Sequence, residues 1–165
     1  MLFETDSTYV NVAGPDDIDN IVEIYNANPV FLMAHIDREK VGTQWIEDEI
    51  NKMKEIGFMC CKVVLKNSKT SIGILDFSVK EECYLSLLML HPDYKHLGLG
   101  SEVYEGLEQF AKAHKSERIR IDVVTSYDRG VLDFWVSKGF DIIEMVELNW
   151  SGKNLPAVIM KKNIS

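Results

Sequence analysis

Three apolar runs, FMCCKVVL (58–65), SIGILDFSV (71–79) and CYLSLLML (83–90), follow one another with only KNSKT and KEE between them. Runs of this length with such short polar links pair as an antiparallel meander, because a parallel return needs a crossover of a dozen residues or more. A uniformly alternating, doubly wound sheet is thereby excluded for this part of the chain.

After Leu90 the pattern changes. The turn KHLGLG opens an amphipathic helix with Val103, Leu107, Phe110 and His114 on one stripe,. The strand RIRIDVV, the helix RGVLDFWVSK, the strand FDIIEMVEL and a last apolar segment, PAVIMKK, complete this half. Before the meander, TYVNVAG alternates as a short strand, and Gly14-Pro15 signals a helix start with Ile18, Ile21, Val22 and Tyr25 at helical spacing,. NANPVFLMAHID breaks at Pro29 and reads as a loop with an apolar payload,. A second helix is expected from about Lys40 to Ile56, with Gly57 as its stop,. The order is β-α-α-β-β-β-α-β-α-β-β, a mixed α/β layer.

At 165 residues, with no repeat and no Pro/Gly/Ser-rich linker, a single domain over 1–165 is expected,. The net charge of −8 sets the average surface against nucleic acid and anionic membrane,. Cys60, Cys61 and Cys83 carry no CxxC or Cys/His spacing, and no run of eighteen apolar residues or export signal occurs,. A cytoplasmic, reducing setting is the expectation, with no metal: His91, His96 and His114 do not converge on one ion,.

Glycines at a helix start let an anion reach the first unpaired amides without a Cβ in the way. Gly98 and Gly100 meet that need, with Lys95 and His96 beside them. A P-loop would place lysine after the second glycine, where Ser101 stands,. A dinucleotide fingerprint would need glycine where Val103 stands; it does find an acid, Asp122, about twenty residues on, but the chain after Gly98 lacks a second mononucleotide half,.

The stretch LLMLHPDYKHLGLGSEVYEGLEQFAKAH resembles the acetyl-CoA motif of the GNAT family of N-acetyltransferases, in which a strand exits into Q/R-x-x-G-x-G/A and a helix. VLDFWVSKGF is similar to the family helix that ends in Y-x-x-x-G-F, and the element order over the whole chain is the family's. The resemblance implies a central mixed, mostly antiparallel sheet with helices on both faces and acetyl-CoA as co-substrate. It implies acetyl transfer to a primary amine of a small molecule, peptide or protein by direct attack in a ternary complex. It places Leu88, Met89, Leu90, Lys95, His96, Leu97, Gly98, Leu99, Gly100 and Ser101 along the cofactor, the first three through their backbone. Asp128 falls near the pantetheine as a possible acceptor from its amides.

Two departures stand out. Lys95 replaces the family's arginine or glutamine, keeping charge but losing planar donation. Trp135 replaces the tyrosine that commonly protonates the departing thiolate; an indole cannot do so, and Trp135 would wall the acyl pocket or fill the core. Tyr127, on the loop before the same helix, is the candidate substitute acid. Asp122 is the candidate base on an alternating strand that also offers it Arg120 as an ion-pair partner. Asn28, Phe31, Leu32 and Met33 fall where acceptor selection is expected, although apolar residues there equally fit a lid or a dimer contact. A monomer or homodimer is compatible with all of this. A non-catalytic acyl-CoA binding or sensing module is the rival class, favoured by Trp135.

Overall fold

The computed structural model describes residues 1–150 and 152–165. Eight strands form one sheet in the order β1-β2-β3-β4-β5-β6-β8-β7. The strands are β1 (Phe3–Glu4), β2 (Thr8–Val12), β3 (Met59–Leu65), β4 (Ser71–Ser78), β5 (Glu82–Leu90), β6 (Arg118–Val124), β7 (Asp141–Trp150) and β8 (Lys153–Asn163). The helices are α1 (Ile18–Asn26), α2 (Pro29–Ile36), α3 (Thr43–Glu55), α4 (Leu99–Ala113) and α5 (Arg129–Ser137). Every neighbouring pair is antiparallel except β5 and β6. The meander read from the sequence is β3-β4-β5.

Two apolar layers sandwich the sheet. On one face α4 contributes Leu99, Val103, Tyr104, Leu107 and Ala111, all buried, against Leu75, Phe77, Leu85, Ile119 and Ile121. On the other, Ile21, Ile24 and Tyr25 of α1, Leu32 of α2 and Ile46 of α3 pack on Ile74, Leu87 and Met89. The alternation of strand side chains feeds both layers, which is why these strands read as nearly continuous apolar runs. No helix of the described residues is long and apolar enough to cross a membrane.

Two elements differ from the expectation. The segment read as a loop from Asn26 to Asp37 holds α2. Pro29 occupies the first turn of that helix, where its missing N–H costs nothing, and the helix stops at Asp37 with φ +57°,. PVFLMAHI is apolar on every side, so it carries no helical period to detect,. The two-residue β1 is too short to leave a pattern.

The position of the site follows from the sheet. Strands β5 and β6 pair only from Glu82↔Arg118 to Leu85↔Ile121, and beyond that they part. The same point carries an irregularity on the other edge of β5: Asp76 pairs with Leu87 and Phe77 with Leu85, so Ser86 is an extra residue. A bulge re-aims the residues that follow and bends its strand, opening the sheet into a wedge.

Candidate active site

The glycine turn follows the end of β5 and leads into α4, with Gly100 beside Leu90. Gly98 caps α4 with φ +80°, a left-handed conformation that glycine adopts without strain,. A Cβ built there would meet no atom within 4 Å. The space beside Gly98, at the start of α4, is open, as an anion cradle requires,. Gly100 is helical, and a Cβ on it would sit 3.7 Å from Leu90 Cδ1. Leu99 is buried in the core, Ser101 is half-buried in the first turn, and His96 and Leu97 are exposed on the turn. Leu88 and Leu90 pack toward α4, and Met89 packs toward α1 and α3.

Lys95 and Asn28, assigned by the sequence to cofactor and acceptor respectively, are bonded to each other. Lys95 Nζ donates to Asn28 Oδ1 at 2.6 Å. Asn28 Nδ2 donates to the carbonyls of Ile24 at 2.8 Å and Leu90 at 3.2 Å. Burial lowers the Lys95 pKa, against an opposing pull from Asp128. The pair thus straps the turn after α1 to the end of β5.

Asp128 caps α5, accepting from the Gly130 N–H at 2.8 Å. Trp135 is buried among Tyr104 and Phe140, with ring centroids 5.3 and 5.5 Å away. Leu32 is fully buried in the core under α1 and α3. Met33 is exposed and lines a shallow depression with Pro29 and Tyr127. Phe31 stacks on His35 at 3.9 Å and meets Tyr127 and Trp150 edge-on. Trp150, near the tip of the β7-β8 hairpin, therefore covers α2, and burial with the nearby Asp128 carboxylate pushes the Tyr127 pKa up to about 12.

Behind the wedge, on the α1–α3 face, lies a cavity of about 250 Å³. Its floor includes Cys60, Ile74 and Asp76, its walls Tyr25, Ile46 and Ile50, and its far rim Leu148 and Trp150. At the wedge end stand Tyr84, Ser86, Leu87 and Asp122. The Asp122 side chain is buried, and its carboxylate accepts from Arg120 Nε and Nη2 at 2.9 and 3.0 Å and from the Tyr84 hydroxyl. The Arg120 guanidinium also lies over the Tyr84 ring, 4.7 Å from its centroid. The Arg120–Asp122 ion pair anticipated from strand alternation is present.

Asp76 differs from Asp122. It is 7% exposed, and its Oδ1 is buried without a hydrogen-bond partner. Burial raises its pKa to about 7, a rise that Glu49 supports and that the Cys60 thiol and Cys61 amide oppose. A carboxyl balanced between its two forms near neutral pH, in a cavity that reaches the wedge, is suited to move a proton. The sequence reading passed over it, although an acid inside the apolar run SIGILDFSV was the available signal. Tyr84, Glu49 and Trp150 were missed as well; only the fold brings them to the cavity.

Residues 18–140 match the model of the acetyltransferase (GNAT) family. No curated protein matches the chain by sequence. Among solved structures, spermidine N-acetyltransferase from Vibrio cholerae in complex with CoA and spermine superposes with TM-score 0.74 at 11% identity, covering 95% of each chain. The ribosomal-protein-S18-alanine N-acetyltransferase from Escherichia coli gives 0.70 at 17% identity, covering 96% of this chain and 94% of that one. The PaiA N-acetyltransferase from Thermoplasma acidophilum in complex with coenzyme A gives 0.64 at 18%, covering 95% and 99%.

Proposed function

The chain belongs to the acetyltransferase (GNAT) family, and we propose that it moves the acetyl group of acetyl-CoA to a primary amine held in the cavity behind the β5–β6 wedge. Acetyl-CoA supplies the acetyl group as a thioester. The open cradle at Gly98 and the N-terminal amides of α4 suit its diphosphate,. The backbone of Leu87–Leu90, freed from β6 by the splay, suits the amides of its pantetheine arm,.

One observation carries the reading: Asp76, with its unpartnered Oδ1, pairs across the sheet with Leu87 at the residue step where the wedge opens. An amine arrives protonated and must lose a proton before it can attack a thioester. Asp76 takes that proton. We assign the base to Asp76 in preference to Asp122, whose lone pairs already hold a bidentate arginine and a tyrosine hydroxyl,. Asp122 then acts by fixing Tyr84 at the wedge. Tyr127 keeps its proton at neutral pH and is the group proposed to return one to the departing thiolate, in place of the buried Trp135. The three cysteines are free and buried, in keeping with a reducing cytoplasm,.

The test is release of free CoA thiol from acetyl-CoA on addition of an amine, for the native protein and for Asp76→Asn. Turnover that falls by about 100-fold or more in the variant supports the assignment, in the range usual for a general base. CoA binding without turnover on any amine would return the non-catalytic acyl-CoA sensor as the better reading.

A further inference from the structure

We infer that the acceptor is a small monoamine on an apolar, arylalkyl-sized body with no anionic group. The inference rests on the acetyltransferase reading and adds to it what the cavity admits.

Charge comes first. The ionisable side chains that line the cavity include the carboxyls Glu49, Asp76 and Asp122, and no lysine or arginine is among the described residues of its lining. Asp122 is neutralised by Arg120 at 2.9 Å, and among the described residues Glu49 has only Lys52 at 3.5 Å, a largely exposed partner. Among the described residues no cationic side chain is hydrogen-bonded to Asp76. An ammonium entering here meets complementary charge and an unpartnered buried oxygen. A carboxylate or phosphate on the acceptor would be desolvated with nothing to pair it. Amino acids are therefore excluded by the same feature that attracts amines.

Shape comes second. Apart from Glu49 and Asn149, the walls away from Asp76 and the wedge end are apolar or aromatic, among them Ile21, Tyr25, Ile46, Ile50, Leu148 and Trp150. A second ammonium, as in a polyamine, would find only Glu49 in the described lining, already paired with Lys52 at 3.5 Å, whereas an aromatic or alkyl body is buried with gain,. An apolar cavity of about 150 Å³ accepts benzene; the roughly 250 Å³ present here adds room for a short chain that carries the nitrogen toward the wedge. A peptide N-terminus would have to bring polar backbone amides past the same walls.

The experiment measures kcat/KM with acetyl-CoA for 2-phenylethylamine, methylamine, phenylalanine, spermidine and an alanyl peptide. The native protein and Ile50→Trp, which fills the cavity from α3, are compared. The expected result is a preference for 2-phenylethylamine over phenylalanine of at least about 100-fold, the scale on which unpaired polar groups discriminate. Ile50→Trp should lower kcat/KM for 2-phenylethylamine at least about tenfold more than for methylamine. Preference for phenylalanine, spermidine or the peptide overturns the inference while leaving the acetyltransferase reading intact. If no amine turns over, calorimetric titration of 2-phenylethylamine into the CoA-loaded protein separates the two. Binding lost in Ile50→Trp keeps the ligand class and removes the reaction; no binding overturns the inference.

Discussion

Lys95 Nζ and Asn28 Oδ1 are hydrogen-bonded at 2.6 Å, joining the turn that leads to the glycine cradle with the turn that leads into α2. Asn28 spends its two amide protons on the carbonyls of Ile24 and Leu90, so one side chain holds α1, the end of β5 and Lys95 together. Asn28→Ala leaves two carbonyls without that partner, each costing about 1–3 kcal/mol, while the exposed Lys95 ammonium turns to water,. Thermal denaturation should show the melting temperature lowered by roughly 4–24 °C, at about 2–4 °C per kcal/mol for this chain length. Lys95→Gln separates two roles for the lysine. A strut is retained by an amide, so stability should hold, whereas a charge needed for the diphosphate is lost and the CoA dissociation constant should rise.

Asp76 sets the pH dependence of both activity and stability. As the base, it makes kcat/KM for an amine climb with pH to a plateau above about 7, and Asp76→Asn should erase that limb. Its effect on stability has the opposite sense. The folded state holds the Asp76 proton up to about pH 7, against about 4 in the unfolded chain,. Between those values the folded state binds more protons, so stability is full below about pH 4 and is lost as pH rises through 7, by about 4 kcal/mol at most. Asp76→Asn should thus gain stability relative to the native protein between pH 5 and pH 8, measured by denaturant unfolding at both. A constant difference across that range would show that Asp76 ionises normally.

The two glycines of the cradle carry different demands. Gly98 sits at φ +80° with open space before it, so Gly98→Val costs about 1–2 kcal/mol of backbone strain and also places a branched side chain in the cradle. Gly100 is helical, and a methyl there makes ordinary contact with Leu90 at 3.7 Å. Gly100→Ala should therefore keep or slightly raise the melting temperature, since alanine favours the helix by about 1 kcal/mol. With saturating CoA the native protein gains stability by mass action. That gain should vanish in Gly98→Val; its survival there would mean that the turn serves only packing.

The sequence was informative where periodicity and punctuation carry the structure. The meander, the α4 stripe and the Gly98 turn are local patterns, and the resemblance carried on those residues is the family the chain belongs to. It failed where the third dimension decides. PVFLMAHI has no polar side to betray α2, and Pro29 signals a break equally well as a first turn,. Lys95 and Asn28 are 67 residues apart, and no spacing rule links them. Arg120 and Asp122 were legible as neighbours on one strand face because a period of two is fixed. Asp76 was hidden by its setting: within a run of buried residues, whether an acid is paired or left without a partner depends on the strand beside it.

His35 gives a further check, on the aromatic cover of the acceptor side. Its ring stacks on Phe31 at 3.9 Å and lies 4.9 Å from Trp150 and 5.2 Å from Tyr127. Its Nδ1–H donates to the Phe31 carbonyl at 2.8 Å. Burial lowers its pKa and the charge of Lys153 adds to the effect, while the Phe31 bond opposes them. In the unfolded chain the imidazole takes up a proton near pH 6.5, whereas in the folded state it stays neutral to lower pH,. Over that interval the unfolded state binds more protons, so this contribution to stability begins to fade as pH falls past about 6.5. The sense is opposite to that of Asp76, and the two are separated by substitution rather than by the native profile. His35→Gln can keep a donor to Phe31 but has no titration. The native protein should exceed it in melting temperature by more at pH 7.5 than at pH 5.5. An equal margin at the two values would mean that the imidazole titrates as it does in water and that the ring cluster does not bury it.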